Sequence, residues 1–87
     1  GSLEAEFNSI PDGLQAEVGA LHKELLKWLE ATLSEGRDAG VFQFHGKPAN
    51  KAALILSSVQ GALQMARALG TTKFKDVIEQ LKLDLIV

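Results

Sequence analysis

Apolar residues recur along this chain at spacings of three and four in three separate blocks, which is the helical period, so the pattern predicts an all-α fold of three helices. In the first block Leu14, Val18, Leu21, Leu25, Trp28, Leu29 and Leu33 form a stripe of roughly 160°, with Lys23, Lys27, Glu30 and Ser34 on the opposite side. Pro11 and Asp12 open this helix, and Asp12 with Gln15 offers a capping box. Gly36 costs about 1 kcal/mol relative to alanine in a helix interior. Ala39 nonetheless continues the stripe, which carries the expected helix over residues 12–40, to a glycine suited to a left-handed cap.

The segment Val41 to Gly46 alternates briefly, but no second strand is available in the sequence to pair with it. It reads as an ordered loop, with Phe42 and Phe44 tucked under the helices and Gly46 and Pro48 turning the chain into the next element. The second helix is expected over residues 48–69, followed by Gly70. One of its faces comprises Ala52, Ile55, Leu56, Val59, Leu63 and Ala66; beside it lie Leu54, Ser58, Gly61, Ala62, Met65, Ala68 and Leu69. Together they sweep roughly 240° of the helix and leave only the sector of Ser57, Gln60, Gln64 and Arg67 polar. Two other helices cannot cover so wide an arc while satisfying their own stripes, so a further partner surface is implied. Gly61, destabilising inside a helix, reads as a point where another backbone crosses closely. Thr71 and Thr72 are candidate caps for a third helix over residues 73–85. Its narrower stripe of about 100° is Phe74, Val77, Ile78, Leu81 and Leu85. Lys75, Asp76, Glu79 and Lys82 form a solvated face, with Lys75 and Glu79 one turn apart. Leu85, Ile86 and Val87 close the chain as a buried tail or a frayed end.

Composition sharpens this picture. A single domain of 87 residues buries only about 60–65% of the surface its unfolded chain exposes. With no cysteine there is neither a disulfide nor a thiolate zinc site, so stability has to come from packing, including packing against another copy. A net charge of -2 provides no electrostatic footprint for nucleic acid. The longest apolar run, Ala52 to Leu56, is far short of the roughly 20 residues that span a bilayer, so no membrane partner is expected. No signal-peptide pattern opens the chain, which makes the cytoplasm the default location. Gly1 and Ser2 look like a cloning scar, Leu3 to Ser9 like an irregular lead-in, and without an initiator methionine the sequence reads as a fragment.

Candidate chemistry is sparse. His22 sits on the first apolar stripe and His45 in a loop with no carboxylate or cysteine beside it, while the acidic residues fall mainly on polar faces. Catalytic order, glycine-rich phosphate loop and paired carboxylates are all lacking, so no catalytic residue, metal or cofactor is assigned and the chain is not expected to be an enzyme. Trp28 reads as core in preference to pocket wall, and Met65 as interface filler.

The junction Glu35, Gly36, Arg37, Asp38, Ala39, Gly40, Val41, Phe42 resembles the C-terminal regulatory region of TetR-family transcription regulators. The stretch Ser58, Val59, Gln60, Gly61, Ala62, Leu63, Gln64, Met65, Ala66, Arg67, Ala68 is similar to that family's penultimate helix, where a small residue, often glycine, precedes an apolar run ending in Ala-Arg. The spacing between the blocks also fits, and the resemblance extends from Leu14 to Leu85. It implies an N-terminal helix-turn-helix that reads operator DNA, a ligand cavity, and two last helices that pair with those of a second copy in a four-helix bundle. No helix-turn-helix pattern precedes Pro11.

On this resemblance residues 11–87 would be the effector-responsive and dimerisation domain, reaching operator DNA only through an N-terminal part that the sequence lacks. The homodimer interface would comprise Leu54, Ser58, Gly61, Ala62, Met65 and Leu69 of the second helix with Phe74, Ile78, Leu81 and Leu85 of the third. A small-molecule effector of the intact protein would meet Leu21, His22, Leu25, Trp28 and Leu29. The alternative is a stand-alone helical protein-interaction module that grips a different protein with the same wide apolar face.

Overall fold

The computed structural model describes residues 12–86. The expected scar at Gly1 and Ser2, the lead-in Leu3 to Ser9, the role of Pro11 and the fate of Val87 lie outside the described residues. The described chain is all-α, with three helices: α1 (Asp12–Asp38), α2 (Pro48–Leu69) and α3 (Thr72–Leu83). α1 ends two residues before the expected boundary at Gly40, and α3 is shifted, starting at Thr72 and ending at Leu83. α2 is the central element, packed against both α1 and α3.

Local chemistry accounts for the ends. Gly40 at φ +78° is the left-handed residue after α1; its N–H donates to the Arg37 carbonyl at 3.0 Å and the Val41 N–H to the Gly36 carbonyl at 2.9 Å. This is the Schellman pair of bonds, which satisfies carbonyls the helix leaves open and explains why the helix stops before the glycine and not at it. Pro48 opens α2, where its missing N–H is no loss. Gly70 at φ +91° closes α2 by donating to the Ala66 carbonyl at 2.9 Å. The threonines do not cap α3 as expected: Thr71 at its start makes no side-chain bond to the helix, having helical backbone angles that aim its hydroxyl away from the free N–H groups.

The loop between α1 and α2 is held from two sides. Phe42, expected to lack a strand partner, forms a single antiparallel bridge with Ile86, and the Gln43 N–H donates to the Leu85 carbonyl at 2.8 Å. Sequence distance hid this pairing, since the partner lies beyond α3. Arg37 donates from Nη1 to the Gly46 carbonyl at 2.8 Å, and its guanidinium carbon lies 4.3 Å from the centre of the Phe44 ring. The loop thereby links the end of α1 to the end of α3.

Burial is slight for so apolar a chain. The buried hydrophobic side chains are Leu33, Ala52 and Ala62, and no residue of α1 before Leu33 is buried. The assembly is flat, 43 × 30 × 16 Å, with a radius of gyration of 15.0 Å. A compact domain of this length has a radius of about 12 Å. Two helices packed on either side of a central one bury the seams between neighbours and leave the broad sides open, so several expectations for individual side chains are corrected. Trp28, expected in the core, is 62% exposed because it lies off the α1–α2 seam. Leu63, placed with the core face of α2, is half exposed. Ala62, placed on the second, open face, is 2% exposed and belongs to the packed seam.

Candidate functional site

Two apolar surfaces remain without a partner among the described residues. The first lies on α2. At about 100° per residue Leu54, Ser58, Gly61, Met65, Ala68 and Leu69 fall within one sector roughly 100° wide. Leu54 is 58% and Leu69 71% exposed, Met65 is about half exposed, and Gly61 lies open between them. A Cβ built on Gly61 meets nothing within 4 Å, so no backbone of this chain crosses there and the expected crossing point is not filled from within. Ser58 does not spoil the apolar character of the band, because its hydroxyl donates to the Leu54 carbonyl of the preceding turn at 2.8 Å.

This band continues into a groove between α2 and α3, lined by Lys51, Leu54 and Ser58 on one side and Val77, Gln80, Leu81 and Asp84 on the other. Leu54, Val77 and Leu81 give it an apolar lining, and Lys51 and Asp84 bring charges of opposite sign to it, the latter also accepting a bond from Gln80 Nε2 at 3.0 Å. The other expected interface residues of α3, Phe74, Ile78 and Leu85, are half-buried with Leu81. They pack partly within the chain, unlike Leu54, Met65 and Leu69.

The second surface is the outer side of α1. Leu14, Leu21, Leu25 and Trp28 are exposed, Leu21 to 67%, and Val18 is half-buried beside them. Of the residues expected to meet an effector, Leu21, Leu25 and Trp28 belong to this outer strip, whereas Leu29 is half-buried. His22 is exposed, with Nε2 3.2 Å from Nε2 of Gln60 on α2. The two nitrogens are within hydrogen-bond distance, with the donor and acceptor roles set by the imidazole tautomer. His22 thus tethers α1 to α2. It is not brought together with Leu21 and Trp28 in an enclosed pocket. His45 is exposed in the loop.

No family model, curated protein or solved structure matches this chain. Its surfaces therefore carry the functional reading alone. Among the described residues no group of three or more histidine, cysteine or acidic side chains is placed to hold a metal ion, and no helix is long and apolar enough to cross a membrane. Two residues have structural roles that the sequence reading did not assign to them: Gly36, buried against the Phe42 ring, and Arg37, which clasps the loop. Their signal was a Gly-Arg pair within one turn of a left-handed glycine, with two phenylalanines following.

Proposed function

We propose that this chain is the dimerisation and effector-responsive domain of a TetR-type transcription regulator, with DNA binding residing in a separate helix-turn-helix part. The observation that carries the reading is the open apolar band of α2, Leu54–Gly61–Met65–Leu69, continuous with the α2–α3 groove. A second copy laid across a twofold axis places the same band against itself. Gly61 then lets the two α2 helices approach closely, and Lys51 and Asp84 in the groove supply opposite charges. Pairing of α2 and α3 from two copies makes a four-helix bundle that sets the separation of the DNA-reading heads. Residues Leu21, Leu25 and Trp28 on α1 are then the side from which an effector acts, by favouring one of the conformations in which the bundle holds the heads. No catalytic role is part of this reading.

Sedimentation equilibrium at micromolar concentration tests the dimer. The expected species has twice the 9.3 kDa chain mass, and Gly61→Arg, at a position where an added Cβ meets nothing within 4 Å, returns it to the monomer. A wild-type chain that stays monomeric overturns the reading, as does a dimer indifferent to Gly61→Arg. Fusion of the chain to a DNA-binding head that recognises its site only as a pair tests the regulatory part: repression should appear with the wild-type chain and disappear with Gly61→Arg.

A further inference from the structure

The outer strip of α1 has a stricter pattern than a core stripe. Leu14, Val18, Leu21, Leu25, Trp28 and Thr32 follow one another at spacings of four, three, four, three and four, the heptad alternation of a coiled-coil seam, over nearly three heptads. At about 100° per residue they occupy a band roughly 80° wide, bordered on one side by half-buried Leu29 and, beyond it, buried Leu33. Thr32 keeps the pattern apolar, since its hydroxyl donates to the Trp28 carbonyl at 2.8 Å. A solvated helix face has no reason to hold this alternation, and an intramolecular core stripe would be buried.

The flanks of the seam are unlike. On the inner flank lie Gln15, His22 and Leu29, of which His22 is bonded to Gln60 of α2. On the outer flank lie exposed Glu17 and Glu24, seven residues apart, while Lys23 and Lys27 fall on the far side of the helix. In helix pairing the charges flanking the seam select the partner.

We infer that the Leu14–Thr32 seam of α1 is the docking site for a single amphipathic helix of a partner protein whose flank facing Glu17 and Glu24 is basic. A second copy of this chain is a poor occupant. Antiparallel, its row of Glu17 and Glu24 would oppose the same row; parallel, the row would meet the inner flank, where α2 is already seated. Residues 1–11 contain two glutamates and no lysine or arginine, so they cannot supply the basic flank either. The inference does not rest on dimerisation through α2, and on Leu21, Leu25 and Trp28 it puts a partner helix where the regulator reading puts an effector.

Trp28 is the sole tryptophan and sits in the seam, which makes its fluorescence a direct reporter. The probe is a tryptophan-free designed helical peptide of about three heptads, with leucine at the seam positions and lysine on the flanks; its counterpart carries glutamate on the flanks. Titrating the lysine peptide into the full chain should shift Trp28 emission to the blue and saturate, with the glutamate peptide at least tenfold weaker. Glu17→Lys together with Glu24→Lys, both exposed positions, should invert that preference, and Leu21→Glu should abolish the shift with the helical circular dichroism retained. Equal binding of both peptides, a preference that does not invert, or a shift that survives Leu21→Glu overturns the inference. So does the absence of a shift with the lysine peptide.

Discussion

The ring of Phe42 lies directly against Gly36, where a Cβ would overlap it, and the Phe42 N–H donates to the Gly36 carbonyl at 3.1 Å. A glycine that local helix propensity disfavours is therefore the residue that allows the loop to fold back onto the last turn of α1. The consequence is opposite in sign to helix propensity. Gly36→Ala gains about 1 kcal/mol of helix propensity, but it must displace an aromatic ring whose own backbone is tied to the same residue. The expected outcome is net destabilisation by about 1–3 kcal/mol, read from the urea midpoint. A more stable Gly36→Ala protein would show that the ring gives way freely.

Gly61 supplies the contrast. Nothing of this chain stands near it, so Gly61→Ala should stabilise the isolated chain by roughly 0.5–1 kcal/mol through helix propensity. If Gly61 is the close approach between two copies, the same substitution weakens association. Thermal melts at low and high protein concentration separate the two effects: the gain in midpoint at low concentration should shrink or reverse at high concentration.

Arg37 joins two parts of the loop, through its bond to the Gly46 carbonyl and its position over Phe44. Arg37→Ala is expected to cost about 1–2 kcal/mol, combining a charge-assisted hydrogen bond near the surface with the cation–π contact. Arg37→Lys should recover less than half of that, because an ammonium cannot lie flat on the ring while reaching the carbonyl. Denaturant titration of the three proteins checks the order.

Leu33 and Leu83 are the same residue type in opposite settings, 3% and 66% exposed. Leu33→Ala should cost about 2–4 kcal/mol as a cavity at the α1–α2 seam. Leu83→Ala should fall within about 0.5 kcal/mol of wild type. Comparable losses at both positions would mean that Leu83 is covered in solution, and the concentration dependence of its effect would then reveal a partner copy.

The ion pair on α3 offers little by comparison. Lys73 and Asp76 approach to 3.7 Å with both side chains about three-fifths exposed, and the expected Lys75–Glu79 spacing is not the pair that forms. Lys73→Ala should leave the melting temperature nearly unchanged at 0.15 M salt, where exposed charges are screened.

Helix number, type and approximate extent were legible in the chain because their determinants are local. Three- and four-residue apolar spacing, Pro48 at a helix start and glycines at 40 and 70 act within a turn or two of their own position, so Gly40 and Gly70 terminate helices whatever lies elsewhere. The width of the apolar arc on α2 likewise revealed that three helices cannot hide it, and Leu54, Met65 and Leu69 are indeed exposed. What only the tertiary structure decided is which flank of each stripe is covered. Ala62 and Leu63 are neighbours on one helix, yet α2 buries the first in a seam and exposes the second; Trp28 and Leu33 share one stripe, and only Leu33 reaches the seam with α2. Likewise the contact of Phe42 with Gly36 and its bridge to Ile86 join positions whose proximity no local period encodes. Periodicity determines that a helix has an apolar side; the angle at which helices cross, set by the sum of many side-chain shapes at once, determines how much of that side meets another helix and how much is left to water or a partner.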